Sequence, residues 1–175
     1  EVRGSEAQTL FQAMNTGHTT FSTMHAGGVD AAIHRLGSAP LNVPRNMLQA
    51  LDVISVQALT HRGRDRVRRC REIVELAGID PLTGNLQVNT VFEYNPIPDT
   101  FSYSGRSRIY AEIMEYRGWS RTRFDQELQT RKKILIAMQD QGIKDYRAVA
   151  RIIQAFAIEP DRVLASLDDL GELIR

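Results

Sequence analysis

The chain has a single cysteine, Cys70, so no internal disulfide can form, and a lone thiol suits a reducing compartment. No stretch approaches the about 20 consecutive apolar residues that a bilayer-spanning helix needs. No charged start followed by an apolar run reads as a signal peptide. Charge of one sign is missing as well: 22 Lys and Arg stand against 21 Asp and Glu, for a net charge of +1. That balance gives no reason to expect a nucleic-acid binder or a strongly basic membrane-surface protein. Internal repeats and low-complexity segments are also missing. What remains is an ordinary globular composition, 42% hydrophobic and 25% charged over 175 residues. Such a length buries one core, or a core with a smaller satellite.

The first residues, Glu1-Val2-Arg3-Gly4, contain no Met and read like the exit from a buried strand. The expectation is a fragment whose earlier part lies outside these residues. Ser5 and Gln8 have capping-box spacing, opening a helix with Ala7, Leu10, Phe11 and Met14 on one face and Gly17 as its stop. Residues 19–24 are short, β-branched and aromatic, predicting a strand that ends at His25. A short helix is expected over 29–36. Another follows Pro44, with Met47, Leu48 and Leu51 on its apolar side. The near-continuous apolar run over 52–59 predicts a strand buried on both faces. This order of helices and strands implies α/β chemistry with the site at strand ends.

The middle differs. Residues 66–76 predict a strand with arginines on both faces. Residues 86–94 alternate cleanly as its antiparallel partner, and 100–104 add a short edge strand. From Ser107 the period is helical. One helix, with Ile109, Ile113 and Tyr116 on a face, closes at Gly118. A longer one over 122–141 has Phe124, Leu128, Leu135 and Met138 as its seam, interrupted by Arg131. Asp145 caps the next, where Tyr146, Val149, Ile153 and Phe156 align, and Pro160 starts a last short helix. The domain boundary is placed near Gly105, giving 1–105 and 106–175.

Three stretches together resemble one family. Glu1-Val2-Arg3-Gly4-Ser5-Glu6-Ala7 resembles the segment closing the Walker B strand of type II and type IV secretion ATPases. Thr16-Gly17-His18, followed by His25 seven residues after His18, looks like that family's histidine box. The tail, with Arg131-Lys132-Lys133-Ile134-Leu135 ahead of Gly142-Ile143-Lys144-Asp145-Tyr146-Arg147, is similar to the archaeal branch of secretion, pilus and archaellum motors. The loop Leu41-Asn42-Val43-Pro44-Arg45 also looks archaeal. The resemblance implies the C-terminal half of a RecA-like P-loop core, with a β-hairpin and a C-terminal helical subdomain.

It further implies ATP and Mg²⁺ as cofactors and a homo-hexamer. It implies a membrane-embedded platform as partner, no nucleic acid, and a cytoplasmic location at the inner face of the membrane. One departure is large: no Gly-x-x-x-x-Gly-Lys phosphate loop occurs in the sequence. On this reading the loop lies upstream of Glu1, and these residues alone are expected to be inactive.

The family pattern gives Glu1 the role of holding or deprotonating the water that attacks the γ-phosphate, a task for a positioned carboxylate. It gives His25 a direct γ-phosphate contact and His18 a supporting or neighbour-facing place. The bland alternatives are an inconsequential exposed carboxylate and two structural histidines. A metal site has no usable ligand set here. Arg3 and Glu6 are expected to pair with each other or with an adjoining subunit. Ser22 and Thr23 have no base to activate them, and Trp119, Tyr110 and Tyr116 read as packing. Arg62, Arg64, Arg66, Arg68, Arg69 and Arg71 form the densest basic cluster. It reads as a solvated strand edge, or as a contact to a neighbour's nucleotide or to anionic lipid. The rival function is a non-catalytic module docking on a membrane-embedded secretion platform. A DNA-translocating motor is a third reading, opposed by the near-neutral charge and the lack of an aromatic-studded basic groove.

Overall fold

The structure, a computed structural model, describes residues 1–173. They form two compact units, Glu1–Glu112 and the residues from Ile113 on. Among the described residues no helix is long and apolar enough to cross a membrane.

The first unit begins with three helices, α1 (Glu6–Asn15), α2 (Val29–Gly37) and the short α3 (Arg45–Leu48). Ala7 and Phe11, four apart on α1, share a face and are fully buried. They meet Val2, Leu36, Leu41, Val43 and Leu48 in one core, with Leu10, Met14, Met24 and Leu51 packed around it. Each large side chain buried there contributes about 1.5–3 kcal/mol. Gly17 ends α1 with a φ of 87°, a left-handed conformation that residues with a Cβ rarely adopt. The capping box does not form. Ser5 has helical backbone angles and makes no side-chain cap, and the Gln8 amide donates instead to the carbonyl of Asn42. Pro44 sits at the cap of α3 with extended ψ rather than inside its first turn.

Residues 19–24 are not a strand. Their composition suits one, but a strand exists only through its ladder. Here a single backbone bond to Val2, from its N–H to the carbonyl of Thr23, joins the segment to residue 2. The sheet is four-stranded and antiparallel throughout, in the order β1 (Val53–Arg62), β2 (Asp65–Ile79), β3 (Leu86–Asn95) and β4 (Thr100–Tyr103). Helices and sheet are thus mixed as expected, while the doubly buried strand over 52–59 is instead an edge strand. In β1, Ile54, Val56, Ala58 and Thr60 are half-buried and Val53, Ser55, Gln57, Leu59 and His61 exposed. Register shifts between Val56 and Gln57, between Ile73 and Val74, and between Leu76 and Gly78 let the 15-residue β2 bend through the sheet. Phe92 stacks on Tyr103 of β4, with ring centroids 5.1 Å apart, and meets Tyr110 edge-on at 6.4 Å.

Tyr110 belongs to α4 (Arg108–Arg117), whose start is fixed by a buried carboxylate on β2. Glu75, 3% exposed, accepts from the Ser107 hydroxyl, from Arg108 N at 2.7 Å and from Ile109 N at 3.3 Å. Ser107 Oγ in turn accepts from Tyr110 N. The anion therefore sits on the free N–H groups of the helix start, where the helix dipole favours it.

The second unit is built from α5 (Arg121–Asp140), α6 (Tyr146–Ile158), α7 (Pro160–Ala165) and a 3₁₀ turn, Leu170–Leu173. Asp145 caps α6 through Arg147 N and Ala148 N, as the sequence predicts, and Ser120 caps α5 through Arg123 N. The expected seams hold at Phe124, Met138, Val149 and Phe156 and shift by one residue at Leu135 and Ile153. Ile134 and Ile152 are buried with Met138, Phe156, Val163 and Leu170, whereas Leu135 is 56% and Ile153 49% exposed. Tyr146 is exposed too. Arg131 leaves the core edge by lying over the Phe156 ring at 5.4 Å and pairing with Glu127. Gln141 ties the last turn down, donating to Leu167 O and accepting from Leu170 N.

Candidate functional site

Two segments without regular secondary structure, residues 1–3 just ahead of α1 and residues 23–25 just ahead of α2, meet here. Val2 is buried in the core, and its N–H reaches the Thr23 carbonyl at 2.9 Å. These two anchors lay residues 1–3 alongside 23–25. As a result His25 Nε2 stands 3.7 Å from Glu1 Oε1. Arg3 donates from Nη2 to the other oxygen of the same carboxylate. Glu1 is thereby flanked by a guanidinium and an imidazole. The Arg3 hydrogen bond, followed by the charges of Arg3 and His25, holds its carboxyl below the usual range, so it is an anion near neutral pH. Its side chain is 27% exposed and that of His25 86%, which leaves both open to an incoming ligand.

Glu6 does not pair with the Arg3 side chain. Its Oε1 accepts from the backbone N–H groups of Arg3 and Gly4 at 2.8 and 2.9 Å, and these bonds lower its pKa. It fixes the backbone that carries Arg3, so its contribution here is positional. His18 is not brought to Glu1. Its Nδ1 lies 3.1 Å from Thr16 Oγ1 and 3.3 Å from Ala13 O, at the end of α1. The histidine box thus places one ring at the carboxylate and the other on a helix terminus.

Residues that sequence reasoning missed hold the His25 loop. Arg35, from the last turn of α2, donates to the His25 carbonyl at 2.7 Å. Arg71 on β2 reaches the Gly27 carbonyl at 3.4 Å and pairs with Glu72 at 2.9 Å. A Cβ on Gly28 would stand 2.7 Å from Arg71 Nη2, so the missing side chain makes room for that guanidinium. Arg71 was visible only as one member of a basic cluster. No local signal marks it or Arg35, since each acts across ten residues or more.

His25 also borders an open cavity of about 370 Å³ whose walls include Val2, Leu10, Met14, Met24 and Ile54. Among the described residues no lysine or arginine lines it, which does not suit a triphosphate. What Glu1, Arg3 and His25 offer is narrower: an anionic oxygen to orient a water, beside a guanidinium and an imidazole able to donate to a phosphoryl oxygen.

Residues 1–159 match the model of the family described as type II/IV secretion system protein. The chain belongs to that family. An uncharacterized protein of Methanocaldococcus jannaschii is 42% identical over 136 residues, covering 77% of this chain and 50% of the relative. A second uncharacterized protein of the same organism is 34% identical over 160 residues, covering 89% of this chain and 29% of the relative. A Mycobacterium tuberculosis protein whose name provisionally assigns it to conjugal transfer is 38% identical over 96 residues, 53% of this chain and 27% of the relative. The chain therefore spans half or less of the length of these relatives.

Proposed function

We propose that these residues are the hydrolytic and C-terminal part of an ATPase that powers archaeal protein secretion or the assembly of a pilus or archaellum. The observation that carries the reading is the meeting of Glu1 and His25, at 3.7 Å, within a chain matched over residues 1–159 to the secretion family. Glu1 holds the attacking water in line with the γ-phosphate. His25 donates to a γ-phosphate oxygen, and Arg3 stabilises charge there or keeps the Glu1 carboxylate ionised. His18 and Glu6 act through the backbone they fix or toward a neighbouring subunit.

ATP with Mg²⁺ supplies the phosphoryl group and the metal charge that spreads over it. Glu1, His25 and Arg3 fit the γ-phosphate end of such a ligand, whereas a phosphate-cradling loop is not among these residues. For that reason this chain by itself binds ATP weakly and turns it over little. In the whole protein, six copies form a ring that carries a partial RecA-like core in each 1–112 unit. The helical unit passes the motion to a membrane-embedded platform at the cytoplasmic face. The test is steady-state ATP hydrolysis by the full-length protein with His25→Ala and His18→Ala. A loss of about 10²-fold in turnover for His25→Ala, with a smaller effect of His18→Ala, supports the assignment. Equal, small effects refute it.

A further inference from the structure

Residues 25–28 lie in neither a helix nor a strand, so no ladder sets the path of the backbone that carries His25. Two guanidinium groups from different elements take that place. Arg35, in the last turn of α2, donates from Nη1 to the His25 carbonyl at 2.7 Å. Arg71 brings Nη1 and Nη2 each to 3.4 Å from the Gly27 carbonyl. Both of these contacts are long, so this grip is forked and mainly electrostatic.

Arg71 stands at an irregular point of β2. Val56 pairs with Glu72 and Gln57 with Cys70, so Arg71 is the extra residue of a bulge, without a partner on β1. A bulge re-aims a side chain. Glu72 then steadies the guanidinium, its Oε1 accepting from Nη2 at 2.9 Å and from Nε at 3.3 Å. On the loop side Gly28 leaves the room, since a Cβ there would stand 2.7 Å from Arg71 Nη2. The Gly28 backbone is extended, with φ 168° and ψ −170°, so its conformation would suit any residue and only the space calls for glycine. Folding has little need of this contact, because the Arg71 side chain is 46% exposed.

We infer that Arg35 and Arg71 are positioning residues for the proposed reaction, gripping carbonyls 25 and 27 so that the His25 ring stays beside Glu1. The inference rests on the ATPase reading of the site. The His25 side chain is 86% exposed, so packing does not hold it 3.7 Å from Glu1, and its backbone has to. Both arginines act through that backbone. A shift of about 1 Å at a reacting group costs up to about 10²-fold in rate, which makes a grip of small value to stability a large one for turnover.

The test is steady-state ATP turnover by the full-length protein with Arg35→Ala, Arg71→Ala or Gly28→Ala, beside His25→Ala as the reference. Each of the three is expected to lower kcat about 10- to 100-fold with KM within about twofold, at a nearly unchanged melting temperature. Arg35→Lys, which keeps a donor, restores part of the loss. Because the arginines act through His25, adding Arg35→Ala to His25→Ala costs nothing further. Adding Gly28→Ala to Arg71→Ala also costs nothing further, since the new methyl group has no guanidinium left to displace. Full additivity in either pair overturns the inference. So does a kcat within about twofold of the unmodified protein for either arginine variant while His25→Ala is impaired. Normal turnover by His25→Ala overturns the ATPase reading of the site and this inference with it, so that control tells the two failures apart.

Discussion

Replacing Glu75 tests whether the sheet and the start of α4 are joined as described. The carboxylate is 3% exposed and serves three donors: Ser107 Oγ and Ile109 N at one oxygen, and Arg108 N at the other. Hydrogen bonds to a charged group are worth about 1.5–3 kcal/mol each. Burying the carboxylate is itself costly, and the freed N–H groups of Glu75→Ala regain some water. The net loss is therefore well below the sum, about 3 kcal/mol. Glu75→Gln keeps the shape but must turn an NH₂ toward one of the donors. It loses the charge and at least one bond, about 1.5 kcal/mol. Ser107→Ala removes the hydroxyl that caps Tyr110 N, about 1 kcal/mol. Because Ser107 and Glu75 touch, the double variant should lose less than the sum of the two. Urea unfolding reads these differences, and amide exchange reads where they fall, with the start of α4 expected to exchange faster. A cost below about 0.5 kcal/mol for Glu75→Ala, with α4 exchange unchanged, would refute the reasoning.

Ile152→Ala should destabilise the helical unit by about 2–5 kcal/mol, because that side chain is fully buried. Ile153→Ala, half-exposed, should change it by less than about 1 kcal/mol in the same melts. The Asp99 carboxyl is held well below the usual range, first by its Arg69 hydrogen bonds and then by Tyr94. A depressed folded pKa gives stability that is complete above the ordinary aspartate value of about 4 and lost as pH falls toward the lower folded one. Asp99→Asn should therefore destabilise near neutrality and flatten the acid limb of the stability–pH curve. An unchanged acid limb would count against the pairing. Arg35→Ala, by releasing the His25 carbonyl, should speed amide exchange over 25–28 while leaving the melting temperature nearly unchanged.

Much of the fold was legible where the signal is local. Gly17, Gly118 and Gly142 end helices, Asp145 caps one, Pro160 begins one, and the alternation of 86–94 makes a strand. The misreadings share a cause: the deciding partner is distant in sequence. Residues 19–24 have strand composition but a single bond to Val2 from the neighbouring segment. The run over 52–59 is apolar enough for a doubly buried strand, yet it pairs on one side only, with β2. At one position on each of α5 and α6, two adjacent apolar residues competed for the seam, and packing chose Ile134 over Leu135 and Ile152 over Ile153. The approach of Glu1 to His25 follows from a motif, whereas Arg35, Arg71 and Glu75 look like any surface charge until the chain has folded.

The central claim is that Glu1 is the hydrolytic carboxylate of an ATPase. It is tested most directly by ATP turnover and ATP binding measured together on the full-length protein with Glu1→Gln. The account predicts turnover reduced by about 10²–10⁴-fold with nucleotide binding retained. Turnover within about twofold of the unmodified protein would contradict it.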